Sequence, residues 1–357
     1  MKVYIKYIVI NFLKSFLNVT LIVFCLVLIL NLLTEIDFFK NLDVKSYYPI
    51  YISFLNSPSV VFEMFPFIFL VSTQVFFINL FKNQQIETFK YFGLKNLKII
   101  NILTVTSLFL GIILITLFYT ASSSLKNLYL DSKNNYTSDY KYLAVVTNNG
   151  LWIKDSFNSK TSIINASKIN NTFLEDVSIT EMDDEYNVIR HIQGKKADIL
   201  SKNWLIYDAT IYKGNEKSNK ELLKVYSNFD YERVQSMFSN LSSLSLIKLF
   251  DLKKNYKLLN LSTVDVSIQI QKIFSYPIYL SLMTILSAII MFNTKSFKSA
   301  TLKISIGLFF SVIIYYIYNF FNVMGKTEKL PIIISIWMPI FFLIITNLIY
   351  SLKINEK

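Results

Sequence analysis

The sequence is poor in the residues that most often bind metals or form disulfides. Its 357 residues include one cysteine, Cys25, and one histidine, His191. A single thiol cannot form a disulfide within the chain, and one imidazole without a second nitrogen or sulfur ligand does not make a metal site. We therefore expect no metal centre and no catalysis by a Cys/His pair.

Glycine and arginine are also scarce. Seven glycines leave little room for a glycine-rich phosphate loop, and the sequence contains neither that motif nor a Gly-x-Ser-x-Gly elbow. Arg190 and Arg233 are the only arginines, so an anion must be held mainly by lysines or backbone amides. The acidic run 181–185 lacks the spacing of a calcium loop and predicts a solvated turn.

Hydrophobic residues, in contrast, are abundant. They make up 53% of the chain and give a mean hydropathy of +0.42, which is too apolar for an ordinary soluble enzyme and indicates an integral membrane protein. The net charge of +12 could suggest nucleic acid as a partner. The charges lie mainly beside uncharged runs, however, and basic patches interleaved with aromatics are absent. We therefore expect a membrane, and no nucleic acid.

Six uncharged runs are long enough to span a membrane as helices, because a span needs about 20 residues and a charge at mid-bilayer costs about 3 kcal/mol. The runs are 15–34, 64–81, 99–125, 273–294, 304–325 and 330–352. A further uncharged stretch, 46–62, contains Pro49 and Pro58 and ends before Glu63. It predicts an interfacial segment leading into the second span. The first run lacks a clear cleavage site and predicts a retained span rather than a signal peptide.

Lysines in the short loops predict the orientation, because Lys and Arg are retained preferentially on the cytoplasmic side. With the N-terminus inside, the cytoplasmic segments carry Lys2, Lys6, Lys14, Lys82, Lys90, Lys95, Lys98, Lys295, Lys298, Lys303, Lys353 and Lys357. The opposite side carries Lys40 and Lys45 among Glu35, Asp37 and Asp43, and Lys326 and Lys329 beside Glu328. Both termini are therefore expected in the cytoplasm.

The segment between the third and fourth runs, 126–271, has the mixed charge of a soluble domain, and the topology places it outside the inner leaflet. Residues 141–155, 160–169 and 194–215 form short β-rich bursts broken by turn residues. Such spacing favours a β-sandwich or jelly roll, in which Trp152 and Trp204 are core or groove aromatics. Residues 241–257 predict a helix that returns to the membrane. The predicted order is three spans (1–125), the β domain (126–271) and three spans (272–357).

A basic segment, 82–98, separates the second and third runs and is longer than a simple turn requires. A helix over 84–92 would carry Ile86, Phe89, Tyr91 and Phe92 as apolar bulk facing the cytosol, with Glu87 and Lys90 on the other side. Gly93 would end it in the left-handed conformation. Such an amphipathic helix either lies on the lipid surface or docks into a groove of a cytosolic partner.

Several short motifs follow one another along the chain. They are Lys6-Tyr7-Ile8, Ser57-Pro58, Phe65-Pro66, the basic segment ending in Gly93, Gly150-Leu151-Trp152-Ile153-Lys154-Asp155, Trp204-Leu205 with Asp208, Lys272-Ile273-Phe274 with Pro277, and Pro331 with Pro339. By these marks the chain resembles the lipopolysaccharide-transport permeases of the LptF/LptG (YjgP/YjgQ) family over essentially its full length, and is more like the LptG branch. No single mark is decisive, but they occur in order and at matching spacing.

The resemblance implies a transport subunit of an ABC exporter that has no ATPase site and binds no cofactor. The implied partners are a cytosolic ABC ATPase dimer that uses ATP and Mg²⁺, a homologous six-span permease, a periplasmic jelly-roll bridge protein and lipopolysaccharide. By the same resemblance, the central domain is a periplasmic β-jelly roll that passes acyl chains along a groove, and a coupling helix at about 82–95 docks into the ATPase.

The implied sites are carried over residue by residue. The coupling residues are Gln85, Ile86, Glu87, Phe89, Lys90, Tyr91 and Gly93; the family usually has a glutamate where this chain has Gln85, so Glu87 is an alternative contact. Lys40 and Lys45 are candidates for the lipid A phosphates, or solvated rim lysines. Asn31 and Thr34 either line the cavity or make hydrogen bonds between helices. The alternative function is a membrane-anchored sensor or scaffold whose basic segment merely lies on lipid.

Overall fold

The computed structural model of the protein describes most of the chain. The described residues are 2–42, 44–134, 136, 151–157, 160–170, 172–183, 185, 187–214, 216–231, 234, 240–258, 262–295, 297 and 299–355. Outside them lie the predicted strand residues 141–150, the lysines Lys298 and Lys357, and also Asp43, Gly150, Asp184 and Arg233. The chain forms two compact units, Met1–Lys126 with Val264–Lys357, and Asn127–Thr263.

Helices make up the first unit and flank the strands of the second. They are α1 (Val3–Phe39), α2 (Tyr48–Lys82), α3 (Gln85–Tyr91), α4 (Asn96–Ile113), α5 (Thr120–Asn134), α6 (Leu246–Leu258), α7 (Val264–Asn293), α8 (Ala300–Lys326) and α9 (Ile332–Asn355). A π-helical turn, Leu114–Tyr119, joins α4 to α5, and a 3₁₀ turn, Leu241–Ser243, precedes α6.

Six helices within the described residues are long and apolar enough to cross a membrane. They are Val3–Phe39, Tyr48–Lys82, Asn96–Lys133, Val264–Asn293, Ala300–Lys326 and Ile332–Leu352. Each overlaps one of the six uncharged runs, so the prediction of six apolar helices is confirmed. The second and fourth helices are the most buried of the six, and the first and fifth are the least, so α2 and α7 form the centre of the bundle.

Residues 46–62 are not a segment separate from the second span. From Tyr48 onward they belong to α2, which continues through Pro58 and Pro66. Proline removes the N–H that would bond four residues back, which normally breaks a helix. At Pro66 that carbonyl belongs to Phe62, and it accepts a hydrogen bond from the hydroxyl of Tyr276 on α7 instead. A neighbouring helix thus supplies the donor that proline lacks.

Close contact between α2 and α8 depends on a glycine. The side-chain amide of Gln74 on α2 donates to the carbonyl oxygen of Lys303 across a distance of 2.8 Å and is completely buried. A Cβ at Gly307 would lie 2.1 Å from the Nε2 of Gln74, so only glycine allows the amide to pass along this face of α8.

The second unit contains an antiparallel sheet. Its strands are β1 (Leu151–Phe157), β2 (Lys160–Ala166), β3 (Lys168–Asn170), β4 (Phe173–Met182), β5 (Val188–Asp198), β6 (Asn203–Lys213) and β7 (Glu216–Tyr226). The order is β1-β2-β4-β5-β6-β7, and β3 also pairs with β4. The inserted β domain is therefore confirmed. Its described strands pair as one continuous sheet in chain order, and a jelly-roll topology is not confirmed.

A bend crosses this sheet. Ser167, Asp176, Lys195, Asp208 and Glu221 occupy matching register positions on neighbouring strands, and the ladder pairing is interrupted at each of them. The backbone is left-handed at two of these positions, with φ of +50° at Asp176 and +52° at Asp208. Such residues turn a strand and shift the alternation of its side chains.

The burial pattern changes phase at the bend. In β6 the buried residues are Trp204 and Ile206 before Asp208, and Ala209 and Ile211 after it. The same shift occurs in β4, where Leu174 and Val177 are buried on either side of Asp176. Both halves of the bent sheet therefore bury the same face, which supplies the hydrophobic core of this unit.

Candidate functional site

The segment between α2 and α4 folds into a short helix with defined ends. Gln84 precedes α3 with a left-handed φ of +53°, and Gly93 follows it with φ of +75°. The N–H of Gly93 donates to the carbonyl of Lys90, and the N–H of Leu94 donates to the carbonyl of Phe89, each at 2.9 Å. This pair of bonds is a Schellman motif, so Gly93 ends the helix as predicted.

One side of α3 is packed into the helix bundle. Ile86 has only 2% of its surface exposed and belongs to the hydrophobic core of the first unit. Phe89 packs against the same core, and its ring centroid lies 6.2 Å from that of Tyr7 on α1. The prediction that Ile86 and Phe89 face the cytosol is therefore wrong. Full burial of Ile86 and partial burial of Phe89 fix this short helix to the bundle.

The other side of α3 carries two exposed aromatic residues. Tyr91 is 95% exposed and Phe92 is 83% exposed. Large apolar side chains that are exposed together on a rigid base are typical of a contact surface. Lys90 beside them is exposed too. We call Tyr91 and Phe92 the aromatic tip.

A charge pair links α3 to the loop between α7 and α8. The Nζ of Lys295 lies 3.4 Å from the Oε1 of Glu87, and both side chains are about half exposed. An ion pair so accessible to solvent adds little stability, so its main effect is on geometry. Gln85, the other candidate for this coupling contact, is half buried and lines a polar cavity beside α1.

The candidate cavity residues on α1 do not form one cluster. Asn31 donates a side-chain hydrogen bond of 3.0 Å to the hydroxyl oxygen of Ser57 on α2. Thr34 is exposed and donates to the carbonyl of Leu30, one turn back. Of the two alternatives for Asn31, the structure thus supports the bond between helices. Lys40 is exposed, and the Nζ of Lys45 lies 5.9 Å from the ring centroid of Tyr47.

Sequence reasoning missed a group of charges that comes from four helices. Glu63 of α2 interacts electrostatically with Lys126 of α5 and with Lys272 of α7. The charge of Lys326 on α8 repels that of Lys272. The sequence does mark two of these residues, because Lys126 directly follows the third uncharged run and Lys272 directly precedes the fourth. Nothing in the sequence brings Glu63 to these lysines, since that requires packing of the helices.

The two tryptophans of the β domain have different environments. Trp204 has no exposed surface, and its Nε1 donates to the carbonyl of Phe229 across 2.6 Å. It therefore takes the first of the two expected roles, that of a core aromatic, and does not line an open groove. Trp152 lies on β1, at the edge of the described strands; it is 59% exposed and is the one of the two that a ligand could reach.

The acidic run forms a hydrogen-bonded turn. The Oδ1 of Asp183 accepts the backbone N–H groups of Glu185 and Asn187 at 3.0 and 2.8 Å, and the backbone bond from Asn187 is the main reason that the pKa of Asp183 is lowered. Glu181 pairs with Arg190 through two hydrogen bonds. Within the part of the chain that the structure describes, no group of three or more His, Cys, Asp or Glu residues is arranged to hold a metal ion.

Six apolar helices, a β domain inserted between the third and fourth of them, and a short surface helix define a polytopic helical membrane protein. Residues 6–353 match the family described as lipopolysaccharide export system permease LptF/LptG, and the chain belongs to this family. It is thus a multi-pass protein of the inner membrane and a transport subunit, not itself an ATPase. Among curated proteins, none matches the chain.

Proposed function

We propose that this chain is one permease of a two-permease ABC exporter that extracts lipopolysaccharide from the outer leaflet of the inner membrane. It passes the lipid to a periplasmic bridge protein for delivery to the outer membrane. A cytosolic ATPase dimer supplies the energy from ATP and Mg²⁺, and a homologous six-span permease completes the pathway. Within the family we assign the chain to the LptG branch, which its sequence motifs resemble more.

The observation that carries the proposal is the two-sided environment of α3. Its buried side, Ile86 and Phe89, is fixed to the bundle, whereas the aromatic tip is free of it. A partner that binds Tyr91 and Phe92 can therefore move the helices to which Ile86 and Phe89 are attached. A coupling helix must transmit such a movement. Because the helices move as rigid bodies, a shift at one end of the bundle also changes the positions of the helices at the other end.

The orientation supports the same assignment. Lysines of the described loops concentrate at the ends of the helices that carry α3 and both termini, as expected for cytoplasmic segments. The β domain is then periplasmic. The bend through Asp176 and Asp208 folds its sheet so that both halves bury one face, which supports a jelly roll with an apolar interior.

The substrate sets the physical problem. Removing acyl chains from a bilayer costs about 0.8 kcal/mol per CH₂ unless apolar walls receive them, so transport needs both an energy source and a dry path. We assign the lipid A phosphates to lysines at the periplasmic ends of the helices, since arginine clamps are scarce. The residues are Lys40, Lys45, Lys126, Lys272 and Lys326. Thr34 and Trp152 lie on the proposed route, and Asn31 holds α1 to α2 beside it.

The aromatic tip provides the direct test. Tyr91→Asp and Phe92→Asp place a charge in the proposed interface without touching the core, and each should abolish co-purification of the ATPase. Tyr47→Asp is the matched control, because Tyr47 is an exposed aromatic residue at the opposite ends of the helices. If the Tyr91→Asp and Phe92→Asp proteins assemble normally, α3 is not the coupling helix.

Photocrosslinking separates transport from a scaffolding role. A photoreactive amino acid at Thr34 should capture lipopolysaccharide before one at Trp152 does, and capture at position 152 should require ATP. Capture at neither position in the assembled complex would contradict the proposed route. Unchanged lipopolysaccharide delivery after depletion of the chain would instead favour a sensor or scaffold.

A further inference from the structure

A polar cavity of about 310 Å³ lies between α1, α2 and the start of α3. The side chains that line it include amides from all three elements and the ammonium group of one lysine. These residues are Asn11, Lys14, Asn18, Asn79, Asn83 and Gln85. No aspartate or glutamate lines it, so the cavity favours an anion over a cation. Its size is at the lower end of the range typical of ligand pockets, which is roughly 300–1,000 Å³.

The amides in this cavity are not used by the fold. Among the described residues, none pairs through a hydrogen bond with the side chains of Asn11, Asn18, Asn79, Asn83 or Gln85. Asn18 lies inside the first uncharged run, where exposed polar groups are expensive unless they bind something. The cavity therefore supplies several unused donors beside Lys14, at the boundary between the apolar run and its basic flank.

One face of α1 is polar at the cavity and becomes apolar toward the middle of the span. Asn11, Lys14 and Asn18 follow one another at helical spacing, and Leu21 and Cys25 continue the same stripe toward the middle of the span. Both Leu21 and Cys25 are exposed. A polar patch that continues into an apolar one along a membrane helix matches a lipid lying with its headgroup below and its acyl chains above.

We propose that this cavity binds the headgroup of an anionic glycerophospholipid, with its phosphate on Lys14 and the surrounding amides and its acyl chains along Leu21 and Cys25. A zwitterionic headgroup fits less well, because its ammonium would meet no carboxylate in the lining. The site is distinct from the lipopolysaccharide route and depends only on insertion of the chain into a membrane. Gln85 and Tyr7 place it next to α3, since Gln85 begins that helix and Tyr7 packs on Phe89.

The single cysteine, Cys25, allows lipid association with this site to be measured by fluorescence. Cys25 lies eleven residues beyond Lys14, or about 16 Å along the helix, which is the depth of the acyl chains. A fluorophore on Cys25 of the full-length chain in lipid nanodiscs should be quenched by phosphatidylglycerol brominated in its acyl chains. At equal mole fraction, we expect about fivefold stronger association than for brominated phosphatidylcholine.

Two pairs of variants distinguish specific binding in the cavity from nonspecific attraction between lysines and anionic lipid. Lys14→Gln should remove most of the preference for phosphatidylglycerol, whereas Lys6→Gln, at a position that does not line the cavity, should leave most of it. Asn18→Leu changes no charge and should still weaken the preference. Asn101→Leu, at an exposed position on α4, should not.

Three outcomes would overturn the proposal. The first is equal quenching by the two brominated lipids in the unmodified chain. The second is loss of quenching on adding millimolar inorganic phosphate, which would indicate a site for free anions. The third is an unchanged preference for phosphatidylglycerol combined with loss of ATPase binding in Asn18→Leu, which would make the cavity part of a protein interface.

Discussion

The hydroxyl of Tyr276 donates a hydrogen bond to the carbonyl oxygen of Phe62, the acceptor that Pro66 leaves without a helical donor. The two rings also stack, with centroids 4.8 Å apart. This contact joins the two central helices, α2 and α7, at the point where α2 would otherwise be weakened. It explains how this helix of 35 residues continues through Pro66, one of its two internal prolines.

We therefore expect Tyr276→Phe to be more damaging than its small change in volume suggests. The variant keeps the ring contact but leaves the carbonyl of Phe62 without its donor, which should lower the free energy of unfolding by about 1–3 kcal/mol. Thermal unfolding in detergent measures this loss. In a Pro66→Ala background the helix regains its own N–H donor, so the same substitution should cost much less. Equal losses in both backgrounds would contradict the explanation.

The two sides of α3 predict opposite effects for two neighbouring truncations. Ile86→Ala removes a core side chain and should lower the free energy of unfolding by about 2–4 kcal/mol. Tyr91→Ala removes an exposed one and should change it by less than about 0.5 kcal/mol. Tyr91→Ala should nevertheless weaken binding of the proposed ATPase. The stability of each variant is measured by thermal unfolding, and binding by titration of the ATPase; a destabilising Tyr91→Ala would show that the tip packs on the bundle.

The pair of Glu87 and Lys295 should matter for coupling more than for stability. Glu87→Lys should leave the unfolding temperature nearly unchanged, since an exposed ion pair contributes only about 0.2–1 kcal/mol. It should reduce the ATPase activity that lipopolysaccharide stimulates in the assembled complex. Adding Lys295→Glu restores the attraction with the charges exchanged and should recover part of that activity. No recovery in the double variant would mean that Glu87 contacts the ATPase directly.

The sequence was sufficient for the parts of the fold that depend on composition and period. Charge at the ends of the uncharged runs located all six helices, and Gly93 marked the end of α3, because only a residue tolerant of positive φ fits there. β-branched residues and turn signals predicted part of the inserted sheet, but β4 and β7 lie outside the predicted stretches. These features are local, so no knowledge of packing was needed.

Features that depend on contacts between distant residues were not predictable. The extension of α2 back to Tyr48 requires the hydroxyl of Tyr276, more than two hundred residues away. The inward direction of Ile86 and Phe89 follows from the position of α1, and a helical pattern alone does not say which apolar residues face a bundle and which face a partner. The same holds for Glu63, whose lysine neighbours come from other helices.

The bend of the β sheet yields the last prediction. Asp208 holds a left-handed φ of +52° that glycine and asparagine tolerate and β-branched residues do not. Asp208→Asn should therefore fold as the parent does, whereas Asp208→Val should destabilise the domain by about 1–3 kcal/mol. Hydrogen exchange of peptides from β6 in the full-length chain measures this locally. Lys195→Gln is the control, since it removes the weak 3.6 Å ion pair to Asp208 and leaves the backbone unchanged. If Asp208→Val protects β6 as well as Asp208→Asn does, the strand does not turn at this residue, and the support for a folded-over, jelly-roll sheet is lost.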